Sequence, residues 1–309
     1  MSRFFSFLLF LGTVLALVWF WPDKNFRMVV CDVGQGDAIL FNYRNYQVLV
    51  DGGANDKVLG CLNNNIPFWD RDLEMVILTH PDKDHYGGLI SVAERYRLLY
   101  FVWSGLMRKD SNFEKLLAQV GNQRSNMIRV EQGNEIAVDK IKIKFYWPNK
   151  EWLSEKLSDN NQKEISLNQS ESDKEYQKES ILGTINEEGQ LSINDFSLVF
   201  NIAFDEFDVL ITGDADSRIQ PEIMKTTDLV DAEILKVAHH GSRHAFNDQF
   251  LDSFESALAI ISVGGNNPWG HPSPDLLRKL DRFGLAVLRT DTEGEIKLIS
   301  DGREWWREK

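Results

Sequence analysis

The chain has 309 residues, 43% hydrophobic and 26% charged, which suits one good-sized globular domain able to bury a substantial core. Its formal net charge of -13 argues against broad, nonspecific attraction to nucleic-acid phosphates, and because two bound divalent cations would restore about +4 locally it weakens a DNA substrate without excluding one. Its two cysteines, Cys31 in a strand-like run and Cys61 in a polar loop region, lack metal-site spacing and are expected to be free thiols.

The N-terminal stretch Phe4 to Trp21 carries no charged residue, follows Arg3 and ends at Pro22. Residues 1–25 are therefore expected to form a single transmembrane helix or a signal segment. Trp19, Phe20 and Trp21 suit a membrane interface, and no small-x-small cleavage site lies near Trp21, which favours an uncleaved anchor. Arg3 and the amino terminus favour a cytoplasmic N-terminus, which would put the globular part, residues 26–309, outside the cytoplasm.

Past this segment, Met28–Asp32, Ala38–Phe41 and Gln47–Val50 read as consecutive short strands separated by Gly or polar turns. Between the first two, CDVGQGDA has Gly34 and Gly36 but not the spacing of a phosphate-binding helix start, so a tight turn is expected. The next apolar run, Met75 to Leu78, leads into HPDKDH. His80, Asp82, Asp84 and His85 supply imidazole nitrogens and carboxylate oxygens, the donors that hold zinc or manganese, and their crowding on one loop suits two ions. The competing reading is structural, since Asp and His are ordinary turn residues and Asp often opens a helix after a strand.

Helices are expected at Tyr86–Tyr96, Asn112–Val120, Phe246–Phe254 and Pro274–Phe283, the last with Ser273 as cap and Pro274 in its first turn. Further strands are expected at Leu99–Val102, Ile141–Tyr146, Ser197–Ala203, Leu258–Val263, Ala286–Arg289 and Glu295–Ile299. Residues 150–190 turn to Glu, Ser, Asn, Gln and Lys, and are expected to form a flexible polar insertion without catalytic residues. Two later apolar runs end in polar clusters: Phe207–Ile211 at Thr212, Gly213 and Asp214, and Ile234–Ala238 at His239, His240, Gly241 and Ser242. In α/β proteins ligands gather where strands end, so these termini are expected to converge with HPDKDH on one cleft.

The segments DVGQGDAIL, VLVDGG, THPDKDHYGGL, LITGD, LKVAHHGS, WGHPSP and RTDTEGEI, in this order, resemble the metallo-β-lactamase-fold domain of the ComEC family of DNA-uptake competence proteins. The resemblance covers roughly Arg27 to Gly302 apart from the polar insertion, and the ordered set is more specific than any one motif. It implies an α/β fold, a four-layer αββα sandwich of the metallo-β-lactamase type, preceded here by the transmembrane helix.

The resemblance also implies site roles. His80 and Asp82 would bind one metal, Asp82 standing where relatives usually have a second histidine, and Asp84 and His85 the other. Asp51 would orient the loop, Asp214 would bridge both ions, and His239 or His240 would add a late ligand, with His240 preferred. Where many relatives have a histidine before the bridging aspartate, this chain has Asn194, Asp195 and Ser197, which leaves more oxygen around the first metal and favours manganese over zinc. Asn194 reads equally well as a turn residue.

The expected chemistry uses two divalent ions, zinc or manganese, to ionise water for attack on a phosphodiester. Asp84 and His271 are the expected catalytic groups, with Asp51 and Lys236 in support. His271 can protonate a leaving oxygen or contact phosphate, against the alternative of a structural residue in a Pro-bounded turn. Ser242, Lys236 and Arg243 are candidate phosphate contacts, and Asp37 and Gln35 are either turn-stabilising or substrate-binding. DNA is the expected substrate, with a separate channel protein as partner. The alternatives are a small phosphodiester, nucleotide or other ester, or a noncatalytic nucleic-acid or partner-binding module.

Overall fold

The computed structural model describes residues 24–159, 183–185 and 192–308, together with 5–7, 10 and 12. Its strands are β1 Phe26–Val30, β2 Ile39–Tyr43, β3 Tyr46–Val50, β4 Asp72–Leu78, β5 Arg97–Trp103, β6 Leu106–Arg108, β7 Asn126–Arg129, β8 Glu135–Val138 and β9 Ile141–Trp147. Then follow β10 Gly183–Ile185, β11 Val199–Phe204, β12 Phe207–Ile211, β13 Ile234–Lys236, β14 Leu258–Ile261, β15 Ala286–Arg289, β16 Ile296–Ser300 and β17 Trp305–Glu308. The helices are α1 Val58–Asn65, α2 Lys83–Arg95, α3 Ser111–Asn122, α4 Lys150–Asp159, α5 Gln220–Thr226, α6 Asp248–Leu251, α7 Pro274–Arg282 and α8 Thr290–Glu293.

Two mixed sheets result. The first runs β17-β16-β1-β2-β3-β4-β5-β7 and the second β15-β14-β13-β12-β11-β9-β8. Alternation along the strands sorts their side chains into separate cores. Phe26, Met28 and Val30 of β1 face Phe200 and Ile202 of β11 and Val209 of β12 across the space between the sheets. On the outer face of the first sheet, Val29, Leu49 and Val76 meet Leu62 of α1, Leu89 of α2 and Leu116 of α3. On the outer face of the second, Leu210, Leu235 and Ala259 meet Ile223, Phe250 and Leu276 of α5, α6 and α7. The layers are thus helix, sheet, sheet, helix, each apolar face covered by the next. Each large apolar side chain buried this way contributes about 1.5–3 kcal/mol.

The parallel segments β3-β4-β5-β7 and β12-β13-β14-β15 alternate with helices, and their carboxyl ends carry the polar clusters. Two glycines allow the loops there to touch backbone to backbone. Gly36, at φ +115, lies where a Cβ would overlap the Asp84 carbonyl, and a Cβ at Gly88 would overlap the Gly52 carbonyl. At CDVGQGDA, where a tight turn is expected, the chain bends over residues 34–36 with Gly34 at φ 80 and Gly36 at φ 115.

Several expectations need correction. Cys31 and Cys61 are joined in a disulfide, and Cys61 lies on α1 rather than in a loop. Packing of α1 on the outer face of the first sheet brings Cys61 over the residue that follows β1. The expected helix Phe246–Phe254 is reduced to α6, Asp248–Leu251, capped by Asn247. The insertion is ordered at its start, where α4 buries Trp152 and Leu153 against Trp147 and Phe196. Further on, β10 pairs in parallel with β6. The remainder of 160–191 lies outside the described residues, as does most of the expected membrane segment Phe4 to Trp21. Among the described residues, no helix is long and apolar enough to cross a membrane.

Candidate metal centre

Each carboxyl-terminal strand end delivers one part of the centre. Asp51 directly follows β3, with its amide donating to the Ile77 carbonyl of β4 at 2.9 Å. It is fully buried and left-handed at φ 57, a conformation that costs a non-glycine residue about 1 kcal/mol or more. Its carboxylate accepts the Thr79 amide at 2.8 Å, the Thr79 hydroxyl at 2.7 Å and the Nδ1–H of His85 at 2.8 Å. Asp51 therefore fixes the loop after β4 and directs His85 Nε2 away from itself, towards Asp214 Oδ1 at 3.3 Å.

Asp214 lies on the turn after β12, held by its amide's hydrogen bond to the Ser197 hydroxyl at 3.1 Å. Its carboxylate is the hub. Besides His85, it faces His80 Nε2 at 3.8 Å and His240 Nε2 at 3.7 Å. His240 follows β13 through a sharp turn in which His239 and His240 are both left-handed, at φ 48 and φ 52. Its Nδ1 donates to the Ser262 carbonyl at 3.1 Å, and its Nε2 lies 3.2 Å from Asp84 Oδ2 at the start of α2. The rings of His80 and His85 are 4.1 Å apart, and those of His85 and His240 5.2 Å.

His80 Nε2, His85 Nε2, His240 Nε2 and Asp214 Oδ1 are buried, face one another, and have no hydrogen bond of normal geometry. Leaving such atoms unsatisfied costs about 1–3 kcal/mol each, a cost that coordination to a cation removes. Three imidazole nitrogens beside the oxygens of Asp84 and Asp214 fit a divalent cation of borderline character.

The protein groups by themselves bias the protonation states. Burial opposes charge on every member, but the three imidazoles together hold Asp214 well below the usual carboxylate range. Burial likewise disfavours an imidazolium at His240, yet Asp214, Asp37 and Asp84 outweigh it and push His240 up to about 10. His85 is raised well above its ordinary value by Asp214 and Asp51 against the same burial. His80, fully buried and beside the His85 charge, is held down at about 4. A cation entering the site therefore displaces protons from His85 and His240. Below about pH 10 protons compete at His240, so apparent metal affinity is expected to rise with pH, by about tenfold per unit for each proton displaced. Calorimetric titrations with Mn2+ at several pH values, in buffers of different ionisation heat, check both slope and proton release.

Other expected site residues lie at the edge or elsewhere. Asp82, expected as a ligand, caps α2 by accepting from the Lys83 amide at 2.8 Å and pairs with Arg108 Nη1 at 2.6 Å. His239 flanks the group, its Nδ1 3.7 Å from Asp216 and its Nε2 3.5 Å from Asn194 Nδ2. The structure thus brings His240, not His239, against Asp84 and Asp214. Asn194, on the short turn Ile193–Phe196, faces His239 rather than the hub. His271 stacks edge-on against His239 with ring centres 6.0 Å apart, and its buried Nδ1 has no hydrogen-bond partner. Burial, together with His239 and His240, lowers its pKa, so it is neutral at pH 7 and suited to hydrogen bonding rather than to proton donation.

Two candidate phosphate contacts are also corrected. Lys236 is 0% exposed and donates to Asp37 Oδ2 at 2.6 Å and to the Val237 carbonyl at 2.9 Å, so no substrate phosphate reaches it. The Ser242 hydroxyl accepts from the His244 amide at 3.1 Å and serves the turn. Gln35 accepts weakly from the Gly264 amide at 3.4 Å, tying its loop to the strand end of β14. Asp37 is the largest surprise, buried within the centre instead of lining a substrate surface. Sequence reasoning also missed Thr79 and Ser262. Thr79 adjoins His80 and could have been suspected, whereas Ser262 at the end of an apolar run carries no signal.

No protein-family model matches the chain. In sequence it is similar to ComE operon protein 3 of Bacillus subtilis (strain 168), 24% identical over 311 aligned residues that cover 92% of this chain and 34% of that protein. It is 24% identical to Recombination protein 2 of Haemophilus influenzae, over 86% of this chain and 28% of that protein. It is 22% identical to Competence protein ComA of Neisseria gonorrhoeae, over 89% of this chain and 32% of that protein. The chain spans about a third of the length of the curated relatives it matches. Among solved structures, the metallo-beta-lactamase fold protein YhfI from Bacillus subtilis aligns over 92% of this chain and 100% of its own, at 14% identity and a TM-score of 0.49. Igni18, a metallo hydrolase from Ignicoccus hospitalis, aligns over 88% of this chain and 98% of its own, at 11% identity and a TM-score of 0.48. The resemblance to the ComEC-type competence proteins thus holds along nearly the whole chain.

Proposed function

We propose that this chain is a metal-dependent hydrolase that cleaves phosphodiester bonds, with DNA strands as substrate, in a role linked to DNA uptake. The observation that carries the proposal is the convergence of three unsatisfied imidazole nitrogens on Asp214, with Asp84 alongside. The likeness to competence proteins supports the choice of DNA. In this reading His80, His85, His240, Asp84 and Asp214 hold up to two divalent ions, with manganese or zinc as candidates. When bound, such ions supply Lewis acidity, an acidified water and positive charge opposite a phosphoryl oxygen.

The remaining steps belong to the protein. Asp51 and Thr79 keep His85 and the α2 start in place, so that the Asp84 carboxylate, the most accessible of the group at 29% side-chain exposure, faces the approaching ester. Asp84 accepts the proton of the attacking water. His239 and His271, at the rim, donate hydrogen bonds to the phosphate and orient it. Asp82 contributes through Arg108, whose guanidinium it holds beside the entrance to α2.

The Cys31–Cys61 disulfide supports a setting outside the reducing cytoplasm, in line with a membrane anchor formed by the N-terminal segment and a separate channel protein as partner. With Mn2+ or Zn2+ supplied, the protein is expected to cleave single-stranded DNA and a chromogenic phosphodiester. Asp84→Asn combined with His85→Ala is expected to remove both activities while the circular dichroism spectrum persists. Turnover of the small ester without any DNA cleavage would redirect the proposal to a small phosphodiester. DNA binding without turnover under any metal would reduce it to a binding module.

A further inference from the structure

The hydrolytic reading leaves one buried charge pair without a role. Lys236 and Asp37 are 0% and 2% exposed and lie 2.6 Å apart, 199 residues from one another in sequence. Taking two charges out of water costs several kcal/mol each, and a pair of apolar side chains would fill the same space with equal or greater stability. Stability is thus a poor reason for placing the pair here.

Its surroundings suggest a better one. Asp37 belongs to the loop between β1 and β2 of the first sheet, and Lys236 ends β13 of the second. The Asp37 amide donates to the Asp84 carbonyl at 3.2 Å, while Asp37 Oδ1 lies 3.3 Å from His240 Nδ1. Asp84 and His240 come from opposite sheets, and their facing atoms, Oδ2 and Nε2, are 3.2 Å apart. Asp37 therefore touches both members of one of the pairs that span the two halves of the centre, the others being His80 and His85 with Asp214. A neighbouring bond strengthens the same junction, from the Ser262 hydroxyl to the Gly36 carbonyl at 2.7 Å.

Asp37 also offers an oxygen within 4.8 Å of donor atoms of His85, Asp214 and His240, so a direct ligand role must be weighed. The geometry disfavours it. Asp37 lies on the Nδ1 side of His240, whose Nδ1 already donates to Ser262, while Nε2 is the atom aimed at Asp84 and Asp214. An ion shared by Asp37 and His240 would have to displace that bond and compete with the Lys236 ammonium.

We infer that the Lys236–Asp37 pair is a positioning device that locks the His240 half of the centre to the Asp84 half, setting the spacing at which both can serve one pair of cations. Lys236 fixes the Asp37 carboxylate, and Asp37 holds the Asp84 backbone and the His240 ring in register. The inference rests on the metal-centre reading and is independent of the substrate.

The test replaces the pair without altering the net charge of the site, using Asp37→Asn with Lys236→Met. The charge balance is kept, so a change in cation affinity reports position rather than Coulomb attraction. The double variant is expected to fold, with a metal-free melting temperature at or near that of the wild type, and to bind Mn2+ about 10–100-fold more weakly in competition with a chelator. Should it fail to fold, Asp37→Leu with Lys236→Met supplies an apolar pair of similar volume, with the same loss expected. A control at the exposed pair, Arg44→Met with Asp139→Asn, is expected to leave Mn2+ affinity unchanged. A folded double variant with wild-type affinity overturns the inference and leaves the pair a purely structural one. Failure of the wild type itself to bind Mn2+ or Zn2+ would instead overturn the metal-centre reading.

Discussion

Asp214→Asn is expected to lower kcat/KM for phosphodiester cleavage by about a thousandfold or more and to weaken metal binding by a similar factor. The reason is its position: among the described residues, no other carboxylate faces His80, His85 and His240 at once, at 3.8, 3.3 and 3.7 Å. Asparagine keeps the shape and can still present an oxygen, but it loses the charge that would balance bound cations in a buried site. A loss of several kcal/mol in stabilising those cations corresponds to at least three factors of ten in rate. Steady-state kinetics on a chromogenic phosphodiester, beside chelator competition for Mn2+, measure the two effects separately. Equal losses in rate and in metal occupancy identify Asp214 as a ligand. A variant that keeps its metal and its rate would remove Asp214 from the centre.

The second large effect concerns stability. Cys31→Ser with Cys61→Ser is expected to destabilise the fold by about 3–4 kcal/mol, since the bond closes a loop of 30 residues and restricts the unfolded chain. In a domain of this size that corresponds to a fall in melting temperature of about 6 °C. Both sulfurs lie in the layer between the first sheet and its helices, so metal affinity at 25 °C is expected to stay within about twofold. Differential scanning calorimetry with and without a reducing agent checks the claim. An unchanged melting temperature on reduction would contradict it.

Much of this arrangement was legible in the residues, for identifiable reasons. Apolar runs that give way within three residues to Asp or His, as after Leu78, Ile211 and Ala238, mark strands whose ends are polar because they face a shared cleft. The order of strands and helices made the two-sheet layering legible, and side chains along β1 to β3, β9, β11 and β12 divide between two buried faces as it requires. The extent of helix at 150–159 was not legible, because two buried side chains, Trp152 and Leu153, anchor a segment whose composition is otherwise polar.

Pairings over long separations were hidden for a different reason. Nothing near Cys31 announces Cys61, and nothing near Asp37 announces Lys236, because both partners meet only after the layers have packed. Lys236 did leave one trace. A charged residue inside the run Ile234 to Ala238 has no solvent to face and must find a buried counter-charge, so a phosphate contact was the wrong inference from its sequence setting. The choice between His239 and His240 also required coordinates, since two successive left-handed residues turn the second ring inward and leave the first at the rim.

The central claim, that side chains from both sheets meet around cations, is tested most directly by equilibrium dialysis of the protein against Mn2+ with metal counted per chain. The account predicts tight binding of about two ions per chain in the wild type and loss of both in Asp214→Asn. Binding of no ion by the wild type, or identical stoichiometry and affinity in the two proteins, would contradict it.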